Sequence, residues 1–157
     1  MNRIEVQAEA EPLPAWSDAA KRFMLRVLEQ LHRDNWDLSV LFCGDAYIRS
    51  LNDRFRQQDE PTDVLSFALG ESISEAGECR YLPGDIIISL ETLAENARYF
   101  KVPPDEELRR LLIHGMLHLD GWDHPTNGEH EPMLQLQEQL LVELADERIL
   151  PCGEQLP

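Results

Sequence analysis

The chain has 157 residues, enough for one compact domain with a core of its own. Its hydrophobic fraction of 43% suits a globular protein, and no apolar run approaches the length of a membrane span. A formal net charge of −16 argues against a protein that coats nucleic acid with a broad basic surface.

The charge is uneven along the chain. Residues 111–157 hold nine acidic side chains and one basic, whereas residues 21–110 hold seventeen acidic and twelve basic. A positive cleft in the middle of the chain is therefore compatible with the acidic total. The N-terminus, MNRIEVQAEAEP, lacks the basic-then-apolar order of a signal peptide, so a cytoplasmic protein is expected. Cys43, Cys79 and Cys152 are odd in number and scattered with no CxxC, which argues against a disulfide framework or a cysteine zinc site.

Arg3 to Ala8 alternates in polarity and reads as a first strand, broken by Pro12 and Pro14. Ser17 or Asp18 is placed to cap a helix running to about His32, with Phe23, Val27 and Leu31 on one stripe. Leu38 to Cys43 reads as a strand closed by Gly44-Asp45, and a helix from Asp45 to about Arg54 follows, carrying Ile48 and Leu51. Asp63 to Leu69 predicts a strand, introduced by Pro61, and Gly70 to Gly77 a polar loop. The β-branched run Asp85 to Ser89 predicts a short buried strand, and a helix opens at Ser89 or Leu90 and runs to about Phe100.

After Pro103-Pro104, Asp105, Glu106 and Glu107 supply the acidic first turn that suits a helix N-terminus. This helix is apolar nearly all round from Leu111 to Leu119, which predicts a central, buried element. A last helix is expected from Met133 to about Leu150, with Met133, Leu136, Leu140 and Leu144 on one face. The order of elements implies a single α+β domain: a mixed four-stranded sheet packed with about five helices, and a metal site on the central helix.

The metal expectation rests on LLIHGMLHLDGWDH, residues 111–124. His114 and His118, at i and i+4, stand about 40° apart around a helix and roughly 6 Å apart along it, close enough to reach one ion. Gly121 can take the left-handed conformation that ends a helix, returning His124 as a third ligand. Three neutral imidazoles on a tetrahedral Zn²⁺ leave a fourth position open, as in catalytic sites. The remaining histidines lack such company. His32 lies near a helix end, where a surface or dipole role is expected, and His130 falls in a polar loop after the motif.

The spacing equals that of metzincin proteases, H-E-x-x-H-x-x-G-x-x-H, but the general-base Glu of that motif is replaced here by Gly115. A zinc peptidase or amidase would therefore lack its usual base. A non-catalytic binding module with a structural zinc is a further alternative, against which the open coordination position stands.

The block HGMLHLDGWDH, residues 114–124, resembles the signature of the YbeY family of metal-dependent, single-strand-specific endoribonucleases. LNDRFRQQDEPTDVLSF, residues 51–67, and GDIIIS, residues 84–89, are similar to two further blocks of that family, so the likeness spans Leu51 to about Leu144. The resemblance implies hydrolysis of phosphodiester bonds in single-stranded RNA during ribosomal RNA maturation, including the 3′ end of the small-subunit RNA, and in ribosome quality control. It implies one zinc ion per chain on His114, His118 and His124. It also implies contacts with the small ribosomal subunit and assembly factors, so the non-catalytic alternative becomes a zinc-stabilised ribosome-assembly factor; no DNA or membrane partner is expected.

The resemblance also points to Arg56 as the cationic catalytic residue, since a guanidinium can bind two non-bridging oxygens of an attacked phosphodiester at once. Asp123 could orient a ligand histidine or close its loop. Asp85 reads as a strand-start residue, and structural roles are favoured for both. Thr62 and Ser66 flank the strand near Arg56 and are placed to line a cleft.

Overall fold

The computed structural model describes residues 1–10 and 12–151, and Cys152 lies outside them. The elements run β1 (Arg3–Ala8), α1 (Ser17–Gln30), β2 (Asp37–Cys43), α2 (Asp45–Arg56), β3 (Val64–Glu75), β4 (Glu78–Ser89), α3 (Leu90–Phe100), α4 (Pro104–Leu119) and α5 (Pro132–Glu143). Among the described residues no helix is long and apolar enough to cross a membrane.

The four strands form one sheet in the order β1-β2-β4-β3. β1 pairs with β2, and β2 with β4, in parallel; β3 runs antiparallel to β4 and is an edge strand. Successive strand residues face opposite sides of a sheet. Val6, Leu38, Val40, Phe42, Ile86 and Ile88 share the main core with Phe23, Met24 and Val27 of α1 and with Leu108, Leu112, Ile113 and Met116 of α4. On the other face Cys43, Leu65 and Ile87 meet Ile48 of α2 in a smaller cluster. The α+β architecture expected from the order of elements is the one observed.

Helix α4 is buried along most of its length, as its uniform apolarity predicted. It packs on β3, β4, α1, α3 and α5, so its His114 and His118 emerge next to the β3 edge. Two of its acidic first-turn residues are themselves buried. Asp105 accepts the backbone N–H groups of Ile149 and Leu150 at 2.8 Å each and pairs with Arg109, tying the segment after α5 to the central helix.

Three sequence expectations are corrected. The segment Gly70–Gly77 is not a loop: β3 continues to Glu75 and β4 starts at Glu78, so the buried strand Asp85–Ser89 is only the end of a long hairpin arm. The turn is tight, with Ala76 (φ 50°) and Gly77 (φ 84°) both left-handed, the conformation that matches hairpin twist. The arm is solvent-exposed along most of β3, so its residues show no apolar alternation to read. A register shift between Ala68 and Glu71 bends it, and Gly84 at φ 137° lies so close to Phe67 that a Cβ would collide with its carbonyl oxygen. The second correction is that α5 ends at Glu143 and not near Leu150. The third is at α1, where Trp16 occupies the N-cap and no side chain caps the helix, so neither Ser17 nor Asp18 does so.

Candidate metal centre

The end of α4 is shaped by a glycine. Gly121 has φ 99° with open space around its α-carbon, so backbone conformation and not crowding demands the residue. Its N–H donates to the His118 carbonyl at 3.1 Å, and the Trp122 N–H reaches back to Leu117 at 2.9 Å. This pair of bonds closes the helix in a Schellman turn. The turn swings the Trp122 carbonyl toward the preceding coil, where it lies 3.1 Å from His118 Nδ1. The chain then brings in His124, whose backbone N–H is held by the Asp123 carboxylate at 2.8 Å.

The three rings converge, with centroids 4.6, 5.1 and 5.2 Å apart. One ligand atom from each of His114, His118 and His124 lies within 4.8 Å of the others, so the group could hold a metal ion. Each Nδ1 faces an oxygen: Gln137 Oε1 at 2.7 Å from His114, Trp122 O at 3.1 Å from His118, and Thr126 O at 3.1 Å from His124. A carbonyl oxygen only accepts, so each Nδ1 carries the proton and donates it. Every Nε2 is then a bare lone pair. The Nε2 atoms of His114 and His118 are nonetheless 3.1 Å apart, two acceptors at hydrogen-bond distance with no proton between them. A cation relieves that arrangement, and the neutral-imidazole donor set suits zinc. Burial pushes His114 below the ordinary histidine pKa; burial and then the neighbouring His114 do the same to His118. The neutral form that can ligate a metal is thereby favoured.

These imidazoles open into a recess of about 460 Å³, lined also by Arg56, Val64, Ser66 and Asp123. Arg56 is the last residue of α2, which stops as Gln57 turns left-handed at φ 56°. Its guanidinium makes one long bond, 3.4 Å, to the Ser66 carbonyl, leaving its other N–H groups available to an anion. Gly115 faces β4, where a Cβ would crowd the Ile86 side chain at 3.0 Å, and the position carries no proton acceptor of the kind a zinc peptidase has there.

The other sequence candidates divide cleanly. Ser66 and Asp123 line the recess; Thr62 does not, and its hydroxyl turns to Asp63 at 3.4 Å. Asp85 lies in a different concavity, accepting the Ser39 hydroxyl at 2.6 Å. His32 is exposed at the end of α1 with φ 57°, and His130 is exposed beside Glu131 at 3.6 Å, both outside the cluster. The sequence reading did not single out Gln137. It falls on the buried stripe Met133, Gln137, Leu140 of the last helix, continued by Leu144 at its C-cap, and a lone amide on an apolar stripe is the signal that could have marked it.

A three-histidine centre at the edge of a small mixed α+β sheet, with a guanidinium across the recess, defines a candidate metallohydrolase for an anionic substrate. The family model described as Endoribonuclease YbeY matches residues 3–145, and the chain belongs to that family of endoribonucleases. A Treponema denticola protein named Endoribonuclease YbeY is 48% identical over 145 residues, covering 90% of this chain and 93% of its own. A namesake from Treponema pallidum (strain Nichols) is 45% identical over 154 residues, covering 98% and 95%. The solution structure of a Thermotoga maritima protein matches with a TM-score of 0.63 at 28% identity, over 92% of this chain and 90% of that one.

Proposed function

We propose that residues 1–157 form one catalytic domain: a cytoplasmic, zinc-dependent endoribonuclease specific for single strands. In this reading it acts in ribosomal RNA maturation, including the small-subunit 3′ end, and in ribosome quality control. His114, His118 and His124 hold one zinc ion, and Arg56 is the catalytic cation. The observation that carries the reading is the pair of proton-free Nε2 atoms 3.1 Å apart, facing the same recess as Arg56.

A bound Zn²⁺ supplies Lewis-acid charge to a phosphodiester and acidifies water as a nucleophile. The protein's own part is positional and electrostatic. The three carbonyl partners aim the imidazoles, so little reorganisation is needed when the ion binds. Arg56 donates N–H groups to non-bridging oxygens, where negative charge grows during attack, and its sparse native bonding leaves it free to do so. Phosphate recognition by one guanidinium in an acidic protein implies weak non-specific RNA affinity with a shallow salt dependence. Delivery by the small ribosomal subunit or an assembly factor then raises productive encounter. A flexible single strand can bend a phosphate into the recess, whereas a rigid A-form duplex cannot.

The test pairs zinc content with cleavage of one labelled RNA as free strand, as annealed duplex and within immature small subunits. One zinc per chain, cleavage of the free strand well above the duplex, and faster cutting on subunits are expected. Faster duplex cleavage overturns the substrate assignment, and equal rates on free RNA and subunits overturn the delivery assignment.

A further inference from the structure

Two of the three imidazoles are aimed by backbone carbonyls, from Trp122 and Thr126. A backbone carbonyl cannot be exchanged for a donor. His114 differs, because the oxygen on its Nδ1 belongs to a side-chain amide, and an amide turned by half a revolution would present N–H instead. An N–H facing Nδ1 would select the opposite tautomer, with the proton on Nε2 and the lone pair pointing away from the site. Something must therefore decide which way the Gln137 amide points.

The decision is made on the far side of that amide. Gln137 Nε2 donates to Glu138 Oε2 at 3.0 Å. A carboxylate only accepts, so the amide nitrogen must face it and the amide oxygen must face the ring. Glu138 is in turn gripped by both arms of Arg110, Nε at 3.0 Å and Nη2 at 3.1 Å. Arg110 is braced from behind by Glu106 and Glu107, each at 3.3 Å. Arg110 also lies one turn before His114 on α4, so the chain Arg110, Glu138, Gln137, His114 leaves the helix, crosses to α5 and returns to the same helix face. Gln137 itself is only 7% exposed, which keeps water from competing for its amide.

We propose that Gln137 is a positioning residue of the metal centre: directed by Glu138 and Arg110, its side-chain oxygen holds His114 in the Nδ1–H tautomer and keeps Nε2 bare for the ion. This rests on the three-histidine reading above. It adds that metal affinity is set in part from α5, outside the motif. Outer partners of ligating histidines typically change metal affinity tenfold to a hundredfold, and Gln137→Leu is expected to lower zinc affinity by about that factor.

The experiment uses the full chain and reads two quantities. Zinc affinity is measured by competition with a chromophoric chelator, and the ring tautomer of His114 by ¹⁵N NMR of the metal-free protein. In the wild type, Nδ1 of His114 is expected to be protonated. In Gln137→Leu the Nε2–H form is expected to grow as zinc affinity falls, with the helical circular dichroism retained. The double variant Gln137→Glu with Glu138→Gln, which returns an acceptor to Nδ1 and puts a donating amide behind it in place of a second carboxylate, is expected to restore both readouts toward wild type. Glu138→Ala alters a side chain that is 52% exposed and tests the same chain should Gln137→Leu not fold; a smaller change in the same direction is expected. An unchanged tautomer and unchanged zinc affinity in a folded Gln137→Leu, or in Glu138→Ala if only that variant folds, overturn the proposal. A wild-type protein that binds no zinc defeats the three-histidine reading instead, and the tautomer in the metal-free protein still decides the role of Gln137.

Discussion

Two concavities of nearly equal size, about 460 Å³ beside the histidines and about 440 Å³ on the opposite face of the sheet, are built on opposite principles. In the second, the charges answer one another. Arg3 and Arg80 both donate to Asp37 at 2.7 Å, Arg3 also reaches Glu75 at 3.0 Å, and Ser39 is bonded to Asp85. Hydrogen bonds from Arg3 and then Arg80 hold the Asp37 carboxyl well below the usual carboxylate range. In the first, the polar groups are oriented but not satisfied: two bare imidazole nitrogens 3.1 Å apart, and a guanidinium with one 3.4 Å bond. Volume does not separate the two. Unused hydrogen-bonding and ligating capacity, held in place by groups behind it, distinguishes the candidate site.

The comparison breaks most visibly at His114. His114→Ala is expected to abolish stoichiometric zinc binding and RNA cleavage together, and to remove the rise in thermal stability that zinc gives the wild type, since metal binding adds to folding free energy. Metal analysis and melting curves with and without zinc check this; full occupancy in the variant would remove His114 from the site. A smaller effect is expected across the recess. Arg56→Lys keeps a charge but loses the planar fork, so cleavage should fall by roughly tenfold or more while the melting temperature stays put. Unchanged turnover would mean that the free guanidinium is not used.

The least effect on activity is expected in the ion network. Asp37→Asn should leave zinc binding and cleavage as they are and lower stability at neutral pH, with the loss vanishing in acid. Because the folded protein holds this carboxyl at a lowered pKa, the unfolded chain takes up the proton first as pH falls. The Asp37 contribution is therefore complete above about pH 4 and lost as pH drops toward the folded value. The gap in urea midpoint between wild type and Asp37→Asn should be constant above about pH 4 and shrink below it. A gap that does not shrink in acid would show that Asp37 is not the ionised partner of Arg3 and Arg80.

Much of the candidate site was legible in one stretch of chain. The His114–His118 spacing, the helix-ending role of Gly121 and the return of His124 are local geometry, and all three rings meet as the spacing predicts. Arg56 was singled out by resemblance alone, and the fold places it in the lining of the same recess. Asp85 shows the limit of such reading. It belongs to one of the similar blocks, yet strand alternation puts it on the face away from the histidines, with Ser39. The hairpin arm was misread because an exposed ribbon has no buried face to impose a pattern.

The sequence alone determined what depends on neighbours within a helical turn or two: the periodic strands and helices, the paired imidazoles, and the glycine that only a left-handed turn requires. Tertiary structure decided what depends on elements far apart in the chain. It set α5 against α4, so that a glutamine on an apolar stripe became the acceptor on His114, and it set the end of α2 beside β3, so that one arginine among many faces the histidines with most of its donors unused. The physical reason is range. Backbone conformation and helical spacing act over a few residues, whereas the tautomer of a ring and the satisfaction of a guanidinium depend on whichever groups packing brings within about 3 Å.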